Sequence, residues 1–177
     1  MPERLTGQDL DAGPDGPDPA RLTREGVARS IRQGQDPVLR QSCAAAGQLD
    51  WERLRRLAAD LLATMYHAQG RGLAAPQIGQ PYRLFVMDAG WKEGAPRPRI
   101  ILDPQILVTD ETTEVAVEAC LSLPGLPVPV ARPRAIRLDH FNLLGEAECL
   151  HLDGIEARIA QHEADHLNGR LITDHLE

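Results

Sequence analysis

Aromatic residues are scarce in this chain of 177 residues, at 3% of the composition, so Leu, Val, Ile and Ala must build the core. Cysteines are few as well: Cys43, Cys120 and Cys149 are an odd number and lie far apart. This pattern excludes the disulfide framework of a small secreted protein. It predicts a cytoplasmic protein, in which a reduced cysteine is free to serve as a metal ligand.

Long apolar runs and an excess of basic residues are also lacking. No stretch approaches the roughly 20 apolar residues of a transmembrane helix, and the region after Met1 lacks the apolar core of a signal peptide. The formal net charge is −7, which argues against a basic face that grips nucleic acid. We therefore expect neither a membrane nor a nucleic acid as a direct partner.

The composition along the chain predicts one folded domain after an N-terminal tail. Prolines, glycines and aspartates dominate Met1–Ala20, and this segment has almost nothing to bury. We therefore predict a disordered acidic tail over residues 1–20 and a single domain over residues 21–177. Within that domain, Arg21–Gln35 is predicted to form a short helix or an arm.

Two longer helices and several strands are predicted in the domain. One helix covers Trp51–Ala68, with Asp50 as its N-cap, and the other covers Ile155–Leu167. Strands are predicted at Tyr82–Asp88, Arg99–Asp103, Val115–Val117, Ala135–Phe141 and Ala147–Leu152. Pro104 and Pro124 are interpreted as interruptions. The connections are too short for repeated crossover helices, which predicts an α+β fold with mainly antiparallel sheets.

The last of these helices carries the sharpest functional motif, an HExxH pattern at His162–His166. Residues four apart share one face of a helix, so both imidazoles can reach one metal ion, with Glu163 beside it as an acid/base. A catalytic metal site of this kind needs a third protein ligand. The upstream candidates are Cys120, His140, Cys149 and His151. Cys120 is favoured because it lies where a strand breaks into a turn.

A loop of small residues, Gly70–Gly79, precedes the first predicted strand. Its glycines and alanines allow close approach to the backbone. Gln77 offers a neutral amide donor that suits a developing oxyanion. Considered alone, these residues are better explained by an ordinary connection between a helix and a strand, because loops of small residues are common.

Together, the three stretches resemble the peptide deformylase family, whose motifs GxGLAAxQ, EGCLS and QHExDHLxG occur in this order. They stand here as Gly70–Gln77, Glu118–Ser122 and Gln161–Gly169, and the resemblance covers about residues 31–177. Ala119 departs from the family pattern, which has a glycine at this position. The resemblance implies antiparallel sheets packed around a central helix that carries the HExxH motif.

The resemblance also implies a metal-dependent hydrolase that removes the N-formyl group from N-formylmethionyl nascent polypeptides at the ribosome and releases formate. The implied ligands of one divalent metal are Cys120, His162 and His166. Fe(II) is the metal usual in the family, and zinc, nickel or cobalt suit the same donors. Glu163 is the implied acid/base, while the Gln77 side chain and the Leu121 backbone N–H are the implied donors to the oxyanion.

The substrate-binding residues implied by the resemblance are Gly70, Arg71, Gly72, Leu73, Glu118, Ile155, Arg158 and Ile159. The first four, and the strand that contains Glu118, are expected to clasp the peptide as an added strand. Arg71 and Arg158 stand where relatives usually carry aliphatic residues. They leave open an alternative, a deformylase relative that acts on a different formyl-amine or a small formamide. A metallopeptidase and a non-catalytic relative are further alternatives.

Overall fold

The computed structural model describes residues 17–176, which form three α-helices and one five-stranded sheet. The helices are α1 (Pro19–Glu25), α2 (Trp51–His67) and α3 (Gly154–Leu167). The strands are β1 (Gly72–Ala74), β2 (Leu84–Met87), β3 (Arg99–Cys120), β4 (Leu123–Phe141) and β5 (Ala147–Asp153). Short 3-10 turns lie at Pro37–Arg40, Ala46–Gln48, Ala75–Ile78, Trp91–Glu93 and Ile172–His175. Most of the predicted tail, residues 1–16, lies outside the described residues.

An arm follows α1 and runs along α2. Helix α1 ends at Glu25, so the segment predicted as a helix or an arm is a helix only in its first part. Beyond it, the backbone N–H of Val27 donates to Asp60 Oδ1 at 2.8 Å, and the backbone N–H of Arg29 donates to Thr64 Oγ1 at 2.9 Å. Both acceptors lie on α2, so the arm is fastened to this helix by side-chain oxygens.

Helix α2 begins where its capping residue predicts. Asp50 accepts a hydrogen bond from the backbone N–H of Arg53 at 2.9 Å, which satisfies a donor that the helix itself leaves unpaired. Its apolar stripe is buried, and it includes Leu57, Leu61, Leu62 and Met65. The predicted helix over Trp51–Ala68 is confirmed, except that Ala68 is the C-cap.

The five strands form one antiparallel sheet in the order β1-β2-β3-β4-β5. Along β2, successive side chains point to opposite faces of the sheet. Leu84 and Val86 therefore join the apolar cluster that includes α2, while Phe85 and Met87 join the cluster that includes α3. The sheet thus lies between the two longer helices, and the predicted α+β class with antiparallel pairing is confirmed.

The hairpin of β3 and β4 is much longer than the sequence predicted. The interpretation of Pro104 and Pro124 as interruptions is wrong, because β3 continues through the first and β4 contains the second. Pro104 coincides with a shift of register between Leu102 and Gln105, and a bulge tolerates a residue without an N–H. Strand β5 pairs only with the part of β4 from Ala135 onwards, so the proline-rich half of β4 has an open edge.

None of the helices among residues 17–176 is both long enough and apolar enough to cross a bilayer.

Candidate metal centre

Helix α3 places two imidazoles side by side. The rings of His162 and His166 have centroids 5.1 Å apart; His166 is buried, and the His162 side chain is 12% exposed. Burial lowers the pKa of His166 well below its usual value, so this imidazole is neutral. Burial acts in the same direction on His162, but hydrogen bonds to Cys120 and Glu118 outweigh it and raise its pKa to about 10. A cation would compete with the proton on this imidazole.

Cys120 is the third member of the group. It ends β3 at the turn into β4, and its Sγ lies 3.3 Å from His166 Nε2. The potential ligand atoms of Cys120, His162 and His166 all lie within 4.8 Å of one another, the one group of this kind in residues 17–176. The structure therefore brings together the ligand set that the sequence favoured. The other candidates, His140, Cys149 and His151, lie on β4 and β5 outside this group.

Gln77 lies against the same group, in the 3-10 turn after β1. Its Oε1 accepts a hydrogen bond from the backbone N–H of Ala74 at 2.9 Å. Because that N–H can only donate, the amide orientation is fixed and Nε2 is the end that faces the site. Nε2 donates to Ser122 Oγ at 3.2 Å and lies 3.8 Å from Cys120 Sγ. Leu121, the other predicted oxyanion donor, is the first residue of the turn between β3 and β4 and is half-buried.

Glu163 is a buried carboxylate with an unused oxygen. It is 4% exposed, and its Oε2 has no hydrogen-bond partner. Burial raises the pKa of Glu163 to about 7. A Cβ atom added at Gly72 would lie 2.4 Å from Glu163 Oε1, so the position of this carboxylate requires a glycine in β1. A buried carboxylate with an unpartnered oxygen, on the helix that carries two of the three potential metal ligands, is suited to proton transfer.

Glu118 contacts His162 and is held by four hydrogen bonds from three side chains. Arg132 binds it with Nε at 2.6 Å from Oε1 and a terminal nitrogen at 2.9 Å from Oε2. Arg158 donates to Oε1 at 2.8 Å, and His162 Nδ1 lies 2.9 Å from Oε2. Burial raises the pKa of Glu118, but the hydrogen bonds from His162 and Arg132 and the arginine charges outweigh it and hold the pKa far below its usual range. The carboxylate is therefore ionised and fixes the His162 ring.

The roles of Arg132 and Asp165 in this network were not predicted from the sequence. Arg132 is 3% exposed, and its second terminal nitrogen donates to Asp165 at 2.9 Å. A signal for Arg132 was present, since it continues the alternating series Val128 and Val130 on β4, and a charge in a buried series needs a partner. Nothing in the sequence identified that partner as Glu118, because the pairing depends on the register of the hairpin.

The predicted peptide-binding strand lies at the edge of the sheet. The backbone N–H of Asp88 donates to the carbonyl oxygen of Arg71, so Arg71 forms its backbone hydrogen bonds with the β2 side. In an antiparallel pair, successive residues direct their N–H and C=O groups to opposite sides of the strand. The N–H and C=O of Gly72 therefore point away from β2, towards the open edge of the sheet. Trp91 Nε1 donates to Gly70 O at 2.8 Å. The Arg71 guanidinium is bound to Glu93 at 2.5 and 2.8 Å and also donates to the carbonyl of residue 89.

The remaining predicted pocket residues differ in burial. Leu73 is fully buried, Ile159 is 8% exposed and Ile155 is 55% exposed. Arg158 is directed at β3 and β4, where its guanidinium is bound to Glu118 and to two backbone carbonyls. Neither predicted pocket arginine therefore has an unbound guanidinium.

A helix with two potential metal ligands and a buried glutamate, a cysteine from a hairpin and an oriented amide together form the kind of site that a metallohydrolase uses. The polypeptide deformylase family model matches residues 28–177 of this chain. The chain belongs to the polypeptide deformylase family, which confirms the resemblance and the assignment as an enzyme.

Individual relatives agree with the family match. The chain is 44% identical over 146 residues to a peptide deformylase of Thermotoga maritima, covering 82% of this chain and 85% of the relative. It is 42% identical over 141 residues to one of Mesorhizobium japonicum, covering 80% of each chain. The crystal structure of the Thermotoga maritima protein matches with a TM-score of 0.78 and 41% identity, over 84% of this chain and 97% of that one. A peptide deformylase from Synechococcus elongatus, solved in complex with actinonin, matches with a TM-score of 0.77 and 36% identity, over 86% and 82%.

Proposed function

We propose that this enzyme hydrolyses the N-formyl group of N-formylmethionyl nascent polypeptides and releases formate. The observation that carries the proposal is the buried Glu163 carboxylate, whose Oε2 has no hydrogen-bond partner and which follows His162 on the helix that also carries His166. No comparison supports a metallopeptidase or a deformylase relative that acts on small formamides.

The donor set fits one divalent metal. One cysteine sulfur and two imidazole nitrogens converge, and Glu118 occupies Nδ1 of His162 so that Nε2 is left for the cation. Two nitrogens and a thiolate suit Fe(II), and equally zinc, nickel or cobalt. Fe(II) is our proposal, by likeness to the family. When bound, such a cation supplies Lewis acidity, which polarises the formyl carbonyl and makes water a nucleophile at neutral pH.

Glu163 moves the proton in this proposal. A general base works best when its pKa is near the operating pH, and burial raises the pKa of Glu163 to about 7. Oε2 takes the proton from the attacking water, because it is buried and has no hydrogen-bond partner. The same oxygen then returns the proton to the nitrogen of the departing amine, so the C–N bond breaks without leaving an amide anion.

Two hydrogen-bond donors stabilise the negative charge that develops on the formyl oxygen during the reaction. Ala74 fixes the Gln77 amide so that Nε2 faces the site, and this donor needs no reorganisation during the reaction. The Leu121 backbone N–H, next to Cys120 in the chain, is the second proposed donor. Removal of one such donor typically costs about 100- to 1,000-fold in kcat.

The peptide backbone is proposed to bind in an extended form along β1. The N–H and C=O of Gly72 face the open edge, and β3 beyond Leu102 has an open edge of its own, because β2 pairs only with Arg99–Leu102. An added strand between these edges would place the formyl end near Cys120. The stems of Arg158 and Ile159 then line the pocket for the first side chain. Because Glu118 neutralises the guanidinium, an apolar methionine suits this pocket.

The proposal extends to nascent chains at the ribosome, in the cytoplasm, as the source of the substrate. The test is formate release from a formyl-Met-Ala-Ser peptide by protein loaded with Fe(II), nickel or cobalt. Glu163→Gln should retain the metal and lose at least about 100-fold in kcat, as is typical of a general base. Cys120→Ser should lose the metal. A metal-loaded wild-type protein that hydrolyses only small formamides would contradict the proposed substrate.

A further inference from the structure

Arg158 lies one helical turn before His162, on the same face of α3. Its side chain is 14% exposed and reaches three acceptors. One terminal nitrogen donates to Glu118 Oε1 at 2.8 Å and to Val130 O at 3.0 Å, and the other donates to Glu114 O at 2.6 Å. A single guanidinium thus joins α3 to both strands of the hairpin and to the carboxylate that holds His162.

We propose that Arg158 is a positioning residue for the metal site, which holds Glu118 in the orientation that directs the His162 imidazole at the metal. The inference rests on the ligand set of the proposed function. It gives Arg158 a role other than contact with the substrate side chain.

The two oxygens of Glu118 have different partners, and this division is the first argument. Oε2 receives His162 Nδ1 and one nitrogen of Arg132, while Oε1 receives the Nε of Arg132 and a nitrogen of Arg158. With Arg158 in place, each oxygen has two donors. Without it, Oε1 has a vacant acceptor site in a buried position, and the carboxylate can turn or admit water to fill it.

The balance of charge is the second argument. Glu118 and Arg132 are 5% and 4% exposed at their side chains, and Asp165, at 17%, is bound to Arg132. Asp165 also has His175 at 2.8 Å and Arg170 at 4.0 Å, so it has partners besides Arg132, which is shared between the two carboxylates. Arg158 is the arginine that binds Glu118 without also binding Asp165, and buried charges are tolerated when they are paired and hydrogen-bonded.

Arg132 cannot take over this role, because its nitrogens are already committed. Nε and one terminal nitrogen bind Glu118, and the other terminal nitrogen binds Asp165. Its fork fixes the plane of the carboxylate. Arg158 belongs to the same helix as His162 and also binds Glu118. It therefore links the position of α3 along its axis to the position of the Glu118 carboxylate.

Co²⁺ binding to the metal-free full-length protein tests the role directly. Arg158→Met should weaken Co²⁺ binding by about 10- to 100-fold, the usual effect of losing a partner that orients a ligand. The visible spectrum of the Co²⁺ form should also change, because it reports the geometry of His162. Arg158→Lys keeps one donor to Glu118, and its Co²⁺ affinity should lie between those of Arg158→Met and the wild type.

Arg99→Met is the matched control. Arg99 binds Glu156 at 3.3 Å, so it also ties α3 to β3 with an ion pair but does not touch Glu118. It should lower the melting temperature without changing Co²⁺ affinity. If Arg158→Met does not fold, Arg158→Lys decides: weaker Co²⁺ binding at a wild-type melting temperature supports the role.

Two results overturn the proposal. If Arg158→Met or Arg158→Lys binds Co²⁺ as tightly as the wild type, with the same spectrum, Arg158 is only a structural staple, and the proposed deformylase function is unaffected. If the wild type itself binds no Co²⁺ through Cys120, the ligand set is wrong and both proposals fail.

Discussion

Gly72 offers a sharp test of the catalytic geometry, because its side-chain position is already occupied. A Cβ atom at Gly72 would lie 2.4 Å from Glu163 Oε1 and 2.9 Å from its Cγ and Cδ. Gly72 does not have a positive φ, so alanine itself fits the backbone. Gly72→Ala should therefore act by displacing the Glu163 carboxylate by about 1 Å, and a displacement of this size can cost about 100-fold in rate.

The expected result is a fall in kcat of about 100-fold with the metal content unchanged. Formate release from a formyl-Met peptide gives kcat and KM, and elemental analysis gives the metal content. Gly47→Ala is the control, because its Cβ would meet no atom closer than Asp103 Oδ2 at 3.5 Å, an ordinary contact. It should behave like the wild type.

A double substitution separates displacement of Glu163 from other effects at β1. Glu163→Asp shortens the side chain by one methylene and relieves the clash. Gly72→Ala should therefore cost much less in the Glu163→Asp background than in the wild type, which is a coupling between neighbouring residues. Equal costs in both backgrounds, or a wild-type kcat for Gly72→Ala, would refute the reasoning.

Three further predictions concern the metal, the edge strand and the thiols. The Fe(II) form should lose activity in air faster than the nickel and cobalt forms, because iron next to the Cys120 thiolate is open to oxidation; equal lifetimes would argue against this. Arg71→Ile should leave kcat/KM for formyl-Met peptides unchanged, because Arg71 is bound to Glu93, whereas a marked gain would indicate altered specificity. Cys149 is exposed and should react with thiol reagents at pH 8. Burial raises the pKa of Cys43 to about 11, so only ~0.1% of Cys43 is thiolate at pH 8, and it should react much more slowly. Mass spectrometry of labelled folded protein checks this, and rapid labelling of Cys43 would contradict it.

The sequence predicted those parts of the structure that depend on local signals. Asp50 caps α2 as its residue type predicts, and the i, i+4 spacing of His162 and His166 alone implied a shared helix face. Cys120 was found because it lies at a strand end and because the motifs occur in the family order. Each of these inferences needed only neighbouring residues or a familiar pattern.

The parts that the sequence did not predict depend on pairing between distant residues. Pro104 looks like a strand break, but its effect depends on whether β3 bulges there as it pairs with β4. Arg158 was assigned to the substrate pocket from its position just before the third motif, and its partners Glu118, Val130 and Glu114 become visible only when the hairpin is paired. Arg132 is the same case, because a lone arginine in a strand has no partner that the sequence can name.

The position of Cys120 depends on how the hairpin is held against α3. Beyond Gln105, β3 pairs only with β4, and before Ala135, β4 pairs only with β3. This two-stranded part of the hairpin, residues 105–135, is called the hairpin arm, and it carries Cys120 at its tip. A two-stranded hairpin by itself is only marginally stable in water. A small apolar cluster of Cys120, Val128, Val130 and Ile172 covers one part of the hairpin arm. Buried ion pairs hold the hairpin arm against α3. Arg132 on β4 binds Glu118 on β3 and Asp165 on α3, so one side chain fixes both strands relative to the helix. Since His162 and His166 belong to that helix, the same contacts that stabilise the hairpin arm set the distance between Cys120 Sγ and the imidazoles.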